Sequence, residues 1–471
     1  MKLSLLLSHA YWAAAAFFLS ACATPPVYEK PAIAVPAAFK ESALWKTARP
    51  AAAEVPDQWW QVFNDAVLND LQTQVSVGNE NLKASAAQVE VARAALASSR
   101  TGNSPVIGVN AGITHGVNPG GLTPATSNSI SAAASWELDL WGRVATAVSS
   151  AEARLQASSA DLAAARLSLQ GLLTQSYFAL RSSEAQATLL ERSVVAFQRS
   201  LELTTNRYNA GVVSAADVAQ ATTQLRTTQA QLIESKASRA QLEHAIATLV
   251  GKAPAAFDLK ATAELPQAPT VPLQLPSQLL ERRPDIAAAE RRVAAANAQI
   301  GVAQSAFFPA ITLSGSAGFR GPQLLDLISA PNFLWSFGPS LAAGLFDGGA
   351  RQAGVDSAKA SIEQAAATYR QTVLTAFQEV EDNLVATASL EEQIVLQADA
   401  LKAAERGLDI ANNQYKAGIV SYLNVVTAQA STLSSERTLL DLRNRRLLAT
   451  AQLLKNIGGQ FKDPTLENKK E

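Results

Sequence analysis

Cysteine is almost missing from this sequence. Its 471 residues hold one, Cys22, and a single thiol excludes an intrachain disulfide. Histidine is nearly as scarce. His9, His115 and His244 stand far apart without metal-ligand spacing, so neither a metal site nor a cofactor is expected. Aromatics make up 6% and the formal net charge is −1. The first argues against a bulky globular core, and the second gives no electrostatic reason to expect nucleic acid as a partner. After residue 21 no run of about 18 apolar residues occurs, so no transmembrane helix is expected. A nucleophile elbow, a phosphate loop and a clustered acid–base set are all missing as well, and no enzyme is expected. The acids Glu379, Glu381 and Asp382 read as polar contacts of a long helix.

What is present is a motif written twice. Arg207–Gln220 reads RYNAGVVSAADVAQ, and Gln414–Thr427 reads QYKAGIVSYLNVVT. Tyr208 matches Tyr415, Gly211 matches Gly418, Val212 matches Ile419, and Ser214 matches Ser421. Each copy lies between long runs that lack proline and are rich in Ala, Leu and Gln. A glycine just past a helix end supplies the left-handed conformation that stops the helix. A serine three residues later can cap the next one. Each copy is therefore the tip of a helical hairpin.

The chain opens with a stretch, 1–21, that resembles a secretory signal. It ends in Leu19-Ser20-Ala21-Cys22, the pattern of a bacterial lipobox, so Cys22 is expected to be lipidated. Ala23 after it points to the outer membrane. Residues 22–56 form a Pro/Ala-rich segment expected to lie extended against the rest of the protein, with Trp45, Trp59 and Trp60 as anchors. Helices are predicted at about 66–77 and 81–99. The period then changes to two. Ile107, Val109, Ala111 and Ile113 alternate with Gly108, Asn110, Gly112 and Thr114. A loop covers 118–126. Beyond it Ile130, Ala132, Ala134, Trp136, Leu138 and Leu140 face one way, and Ser129, Ser131, Ser135, Glu137 and Asp139 the other. One apolar and one polar face over about ten residues is what a membrane-spanning strand requires.

From Gly142 a helical run extends to Ala210, about 100 Å if continuous, and a return helix follows the tip to about Val250. Its apolar and small residues keep steps of three and four, a coiled-coil seam. A Pro-rich linker spans 251–280, and the order repeats: a helix to about Ala306, a strand with Ile311, Leu313, Ala317 and Phe319 on one face, and another with Phe333, Trp335, Phe337, Leu341 and Leu345. Pro339 predicts a bulge or break there. A helix from about Arg351 to Ala417 and a return helix to Ile457 complete the copy. The halves are offset by 204 before the strands (Pro105, Pro309) and 207 after them (Ala151, Ala358). The fold class is α+β with an internal duplication.

Four strands cannot close a membrane barrel, since the smallest familiar ones have about eight. Open edges in lipid cost several kcal/mol per unpaired group. Other chains must complete the sheet. Three copies give a trimeric, 12-stranded outer-membrane β-barrel, four strands per chain, continuing as a long periplasmic α-helical barrel of twelve helices.

At this point the residues resemble the TolC-like outer-membrane efflux proteins, in their lipoprotein (OprM- and NodT-like) branch. The motifs carrying this are Trp59-Trp60-Gln61-Val62-Phe63, Trp136–Arg143 (WELDLWGR), Leu280–Asp285 (LERRPD), Phe307-Phe308-Pro309, Leu345–Gly349 (LFDGG), Ala376–Asp382 (AFQEVED) and the two tips. The resemblance implies a homotrimer in outer-membrane lipid, the exit duct of a tripartite pump with a periplasmic adaptor and an inner-membrane RND-type transporter. It divides the chain into equatorial helices (57–103 and 281–308), β-hairpins (104–141 and 309–347), long α-hairpins (142–250 and 348–457) and a tail (458–471). It also implies adaptor docking on the tips, at Tyr208, Gly211, Val212, Ser214, Tyr415, Gly418, Ile419 and Ser421. The family often places acids after the second tip, in a pattern like Asp-Val-Leu-Asp. Here Asn424 and Thr427 stand in those positions, and Asp217 is the first copy's counterpart of Asn424. The expectation is a gate less acidic than its relatives', with Asp217 first a helix cap in Ser214-Ala-Ala-Asp217 and at most a minor gate residue. Readings kept beside the efflux duct are a duct for type I protein secretion and a structural coiled-coil envelope lipoprotein. Alternating strands argue against the last.

Overall fold

The computed structural model describes residues 27–36, 38–40, 58–117, 124–262, 265–269 and 282–457. The signal stretch 1–21, Cys22, Trp45, loop residues 118–123, Leu280, Glu281 and the tail 458–471 lie outside the described residues. Seven α-helices and four strands are described: α1 (Ala66–Gly78), α2 (Glu80–Arg100), β1 (Val106–Val117), β2 (Pro124–Glu137), α3 (Arg143–Asn209), α4 (Ala215–Leu249), α5 (Pro284–Ser305), β3 (Ala310–Gly321), β4 (Phe333–Ala342), α6 (Ala350–Lys416) and α7 (Tyr422–Ile457). The order is the expected one. The duplication holds in the backbone, because α3 and α6 are each 67 residues long and begin 207 apart. Among the described residues no helix is long and apolar enough to cross a membrane.

The chain divides into two compact units, each assembled from separate stretches. Among the described residues the first comprises 27–33 with those of Ala87–Ser159 and Ala288–Gln371, and its centre is the sheet. All neighbours are antiparallel in the order β1-β2-β3-β4. The register sorts the side chains as the alternation predicts. One cross-strand row is Val109, Ala132, Ala317, Trp335, and the rows beside it on that face are equally apolar. The opposite face carries Asn110, Ser131, Ser316 and Ser336, the last two hydroxyls 2.9 Å apart. An apolar outer face and a polar inner one is the division a barrel wall needs.

Three strand ends differ from expectation. β2 begins at Pro124, inside the predicted loop, and ends at Glu137; β4 ends at Ala342, short of Leu345. The bulge predicted at Pro339 does not form, for the β3–β4 register runs unbroken with Leu313 opposite Pro339. The cause lies in the ladder. Leu138 N–H donates to the Ile311 carbonyl (2.9 Å), so odd-numbered residues of β3 turn their main-chain groups toward β2. Leu313 and Pro339 are then a pair without mutual hydrogen bonds, and the proline nitrogen points off the free edge.

Below the sheet in this unit, Asp139 caps α3 by accepting from Val144 N–H (3.0 Å) and Ala145 N–H (2.8 Å). Trp141 stacks on Phe308 (5.0 Å) and donates to the Pro309 carbonyl (2.7 Å). Of the leading segment, residues 27–36 form no helix or strand and lie against helices. The Tyr28 hydroxyl donates to Glu290, and the Lys30 ammonium stands 6.0 Å from the Tyr369 ring.

Among the described residues the second unit comprises those of Ala34–Ala86 and Ala160–Ala287 with 372–457. Its core gathers Trp59, Leu68, Leu71, Tyr177, Phe178, Ile246 and Leu453. Trp59 and Trp60 are both buried, as anchors should be. The Tyr177 hydroxyl donates to Asp65 (2.6 Å), and burial together with this bond pushes its pKa well above the usual tyrosine range. Gly251 has φ +76°, and a Cβ there would lie 2.1 Å from the Gly78 carbonyl oxygen, so only glycine lets α1 and α4 end against each other. The start of the linker is held by buried charge. Glu184 accepts from Arg181 (2.7 Å), Arg239 (3.0 Å) and Thr262 N–H (3.1 Å). The acids of α6 are structural here: Glu379 pairs with Arg283 (2.8 Å), Glu381 accepts from Lys40 N–H (2.7 Å), and Asp382 from Gln378 (3.3 Å).

Candidate docking and gating site

The two tips lie in the second unit and share one backbone. In the first, Gly211 has φ +74°; in the second, Gly418 has φ +76°. Gly211 N–H donates to the Tyr208 carbonyl (2.8 Å) and Val212 N–H to the Arg207 carbonyl (2.9 Å). Gly418 N–H and Ile419 N–H repeat this onto Tyr415 (3.0 Å) and Gln414 (2.9 Å). Paired bonds of this kind close a helix through a left-handed residue, as the motif predicts. A Cβ at either glycine would meet open space, so the constraint there is backbone conformation alone.

Side chains divide the tips. Val212 and Ile419, just past the glycines, are both exposed, as are Ser214 and Ser421. Tyr415, however, is buried with Tyr422 (rings 5.3 Å apart), Ala221 and Val425. The Arg207 guanidinium lies 4.5 Å from the Tyr415 ring and donates to the Tyr415 carbonyl (2.8 Å). The Tyr422 hydroxyl is 2.9 Å from Ser200 Oγ. Arg207 thus joins α3 to the second tip. Neither Arg207, Tyr422 nor Ser200 was singled out from the sequence, yet a signal existed. Arg207 aligns with Gln414 and Tyr422 with Ala215, and these departures between the copies are where one tip grips the other.

Of the three gate candidates, Asp217 completes a capping box. Its carboxylate accepts from Ser214 N–H (3.0 Å) and Ser214 Oγ–H (2.9 Å), and its own N–H donates to Ser214 Oγ (3.3 Å). That fills the role an acid at N3 performs in a capping box. Asn424 and Thr427 are exposed on α7; Asn424 N–H donates to the Ser421 carbonyl (3.2 Å), and the Thr427 hydroxyl to the Leu423 carbonyl (2.9 Å). No group of three or more His, Cys, Asp or Glu residues placed to hold a metal ion occurs among the described residues.

Known proteins share this arrangement. The sequence profile described as outer membrane efflux protein matches residues 71–252 and 275–459. The chain is 32% identical over 464 residues to the probable efflux pump outer membrane protein TtgC of Pseudomonas putida, covering 96% of each chain. It is 31% identical over 462 residues to the outer membrane protein OprJ of Pseudomonas aeruginosa, covering 94% of each. Its fold superimposes on the outer-membrane channel OprN with a TM-score of 0.86 at 30% identity, covering 93% of this chain and 99% of that one. On the open state of the MtrE channel of Neisseria gonorrhoeae the TM-score is 0.81 at 28% identity, covering 94% and 100%. With this sheet, these paired hairpins and matches along nearly its full length, the chain belongs to the outer membrane efflux protein family and has the α+β fold of its trimeric, TolC-like channels.

Proposed function

We propose that three copies of this chain form the passive outer-membrane exit duct of a tripartite efflux pump. The observation that carries this reading is the sheet: four strands, apolar on one face and polar on the other, with both edges free. In lipid those edges require further copies of the chain, and the polar faces then enclose a water-filled passage. The cargo class is small toxic compounds. Relatives are named for toluene, solvent and antibiotic efflux, and a neutral Ser- and Gly-rich wall suits a duct that leaves selection to an inner-membrane transporter.

The tips are where a periplasmic adaptor docks. Val212 and Ile419 give it apolar points on backbones of one geometry, beside Tyr208 and the exposed Ser214 and Ser421. The gate is the ring of Asn424 and Thr427 with Asp217 as a minor contributor, since its carboxylate is already engaged by Ser214. Cys22 is lipidated and anchors the duct in the outer membrane; mass spectrometry of the purified amino terminus reads this directly, and an unmodified thiol there would refute it.

Deleting the gene should sensitise the cell to dyes, solvents or antibiotics, with rescue by the intact chain. Unchanged sensitivity with loss of a secreted protein would transfer the duct to type I secretion.

A further inference from the structure

We propose that the seam between copies has one defined register: β4 of one chain lies antiparallel to β1 of the next, with Leu341 opposite Ala111, Ala343 opposite Val109 and Leu345 opposite Ile107 of the neighbouring copy. The inference rests on the trimer and adds the residues that join it.

Two constraints fix the parity. The apolar face of the sheet uses odd-numbered residues on β1 (Val109) and on β4 (Trp335). For that face to continue across the seam, odd must meet odd. The main chain requires the same. The Leu138-to-Ile311 bond turns even residues of β2 and odd residues of β3 toward each other. Odd residues of β1 and of β4, which stand opposite them, therefore direct their N–H and C=O groups to the two free edges. Odd against odd mates donors with acceptors.

The duplication selects the register within that parity. The β2–β3 junction inside the chain is the internal copy of the missing β4–β1 junction. β1 and β3 begin 204 apart, at Val106 and Ala310. Ile107 pairs with Ala134, and its counterpart Ile311 pairs with Leu341. This places β2 and β4 at the 207 offset that also separates the starts of α3 and α6. Trp136 opposite Leu313 then maps onto Ala343 opposite Val109, and Leu138 opposite Ile311 onto Leu345 opposite Ile107.

The register accounts for two features of the single chain. β4 stops at Ala342 although the β2–β3 ladder reaches Leu138, and Leu345 is 96% exposed. A neighbouring β1 would extend β4 through Leu345 and cover it. Pro339 falls opposite Ile113 of the neighbour as a single missing donor. That gap is tolerable once, but it would occur twice if two β4 edges met, which guards against that wrong pairing.

Cysteine pairs test this in the assembled protein with Cys22 retained and single-cysteine controls. Hydrogen-bonded antiparallel partners have Cα atoms about 5.5 Å apart, within disulfide reach, whereas a two-residue shift carries them beyond about 7 Å. Ala111→Cys with Leu341→Cys, and independently Val109→Cys with Ala343→Cys, should convert denatured monomer to covalent trimer on oxidation. Leu341→Cys combined with Val109→Cys or with Ile113→Cys should remain monomer. Stronger linkage in either shifted pair, or none in any pair, overturns the register. An intact unheated trimer in that experiment leaves the trimeric duct standing, and loss of the trimer from the unsubstituted protein would sink both.

Discussion

At the first tip Tyr208 is 46% exposed; at the second its counterpart Tyr415 is 4% exposed, under Arg207 and against Tyr422. The glycine conformations and closing hydrogen bonds are the same in both. Duplication therefore copied a backbone, and divergence changed what fills it. The second tip is held by the first, through Arg207 from α3 and Ser200 at the Tyr422 hydroxyl. The first closes with its own capping box and places only Ala221 and the partly buried Val213 and Leu201 in the cluster around Tyr415. One tip is a packed element and the other a capped one, and substitutions should separate them.

The largest separation is expected at the tyrosines. Tyr415→Ala or Tyr422→Ala empties a buried aromatic site and should destabilise the second tip by about 3–5 kcal/mol, while Tyr208→Ala should stay within about 0.5 kcal/mol. Hydrogen exchange at the tip amides of the assembled trimer reads both. Equal protection losses in Tyr208→Ala and Tyr415→Ala would remove the asymmetry. Tyr415→Phe should be nearly silent, because its buried hydroxyl has no hydrogen-bond partner among the described residues.

Next come the glycines. Gly211→Val and Gly418→Val each force a side chain into positive φ and should cost about 1–3 kcal/mol. Both sites have open space, so the strain is equal and any functional difference between them reports on docking. The trimer should persist and drug efflux should fail. Normal complementation by Gly418→Val would count against docking at that tip.

Smaller still is Asp217. Asp217→Ala should cost the first tip about 1 kcal/mol as a lost cap. Asp217→Asn should leave the cation preference of single channels in planar bilayers nearly unchanged. A pronounced loss of that preference would make Asp217 a principal gate residue after all.

The smallest effect concerns pH at the start of α6. The Arg351 side chain, with the backbone amides of Arg351 and Gly349, holds the Asp347 carboxyl at about 2, below the ordinary 3.8. A depressed pKa contributes stability that is present above the ordinary value and lost as pH falls through the depressed one. Amide protection at the start of α6 should therefore be the same at pH 7 and pH 5 and decline only as pH nears about 2. A decline centred near pH 4 would refute the pairing.

Much of this protein could be read in the sequence, because its signals are local and repeated. Long proline-free runs gave the helices, a period of two gave β1 to β4, and Gly211, Gly418 and Ser214 gave the tips, since each acts through its own backbone or a neighbour within a turn. The duplication fixed element order for both halves at once. What local pattern could not supply was which copy of a motif is buried. Tyr208 and Tyr415 are one letter in one context, and only the packing of Arg207, Ser200 and Tyr422 around the second distinguishes them. Pro339 carries the same lesson. Its residue type announced a broken ladder, but a missing N–H matters only if it faces a partner strand, and that direction is set by the register of the whole sheet, which residues far apart in the chain decide together.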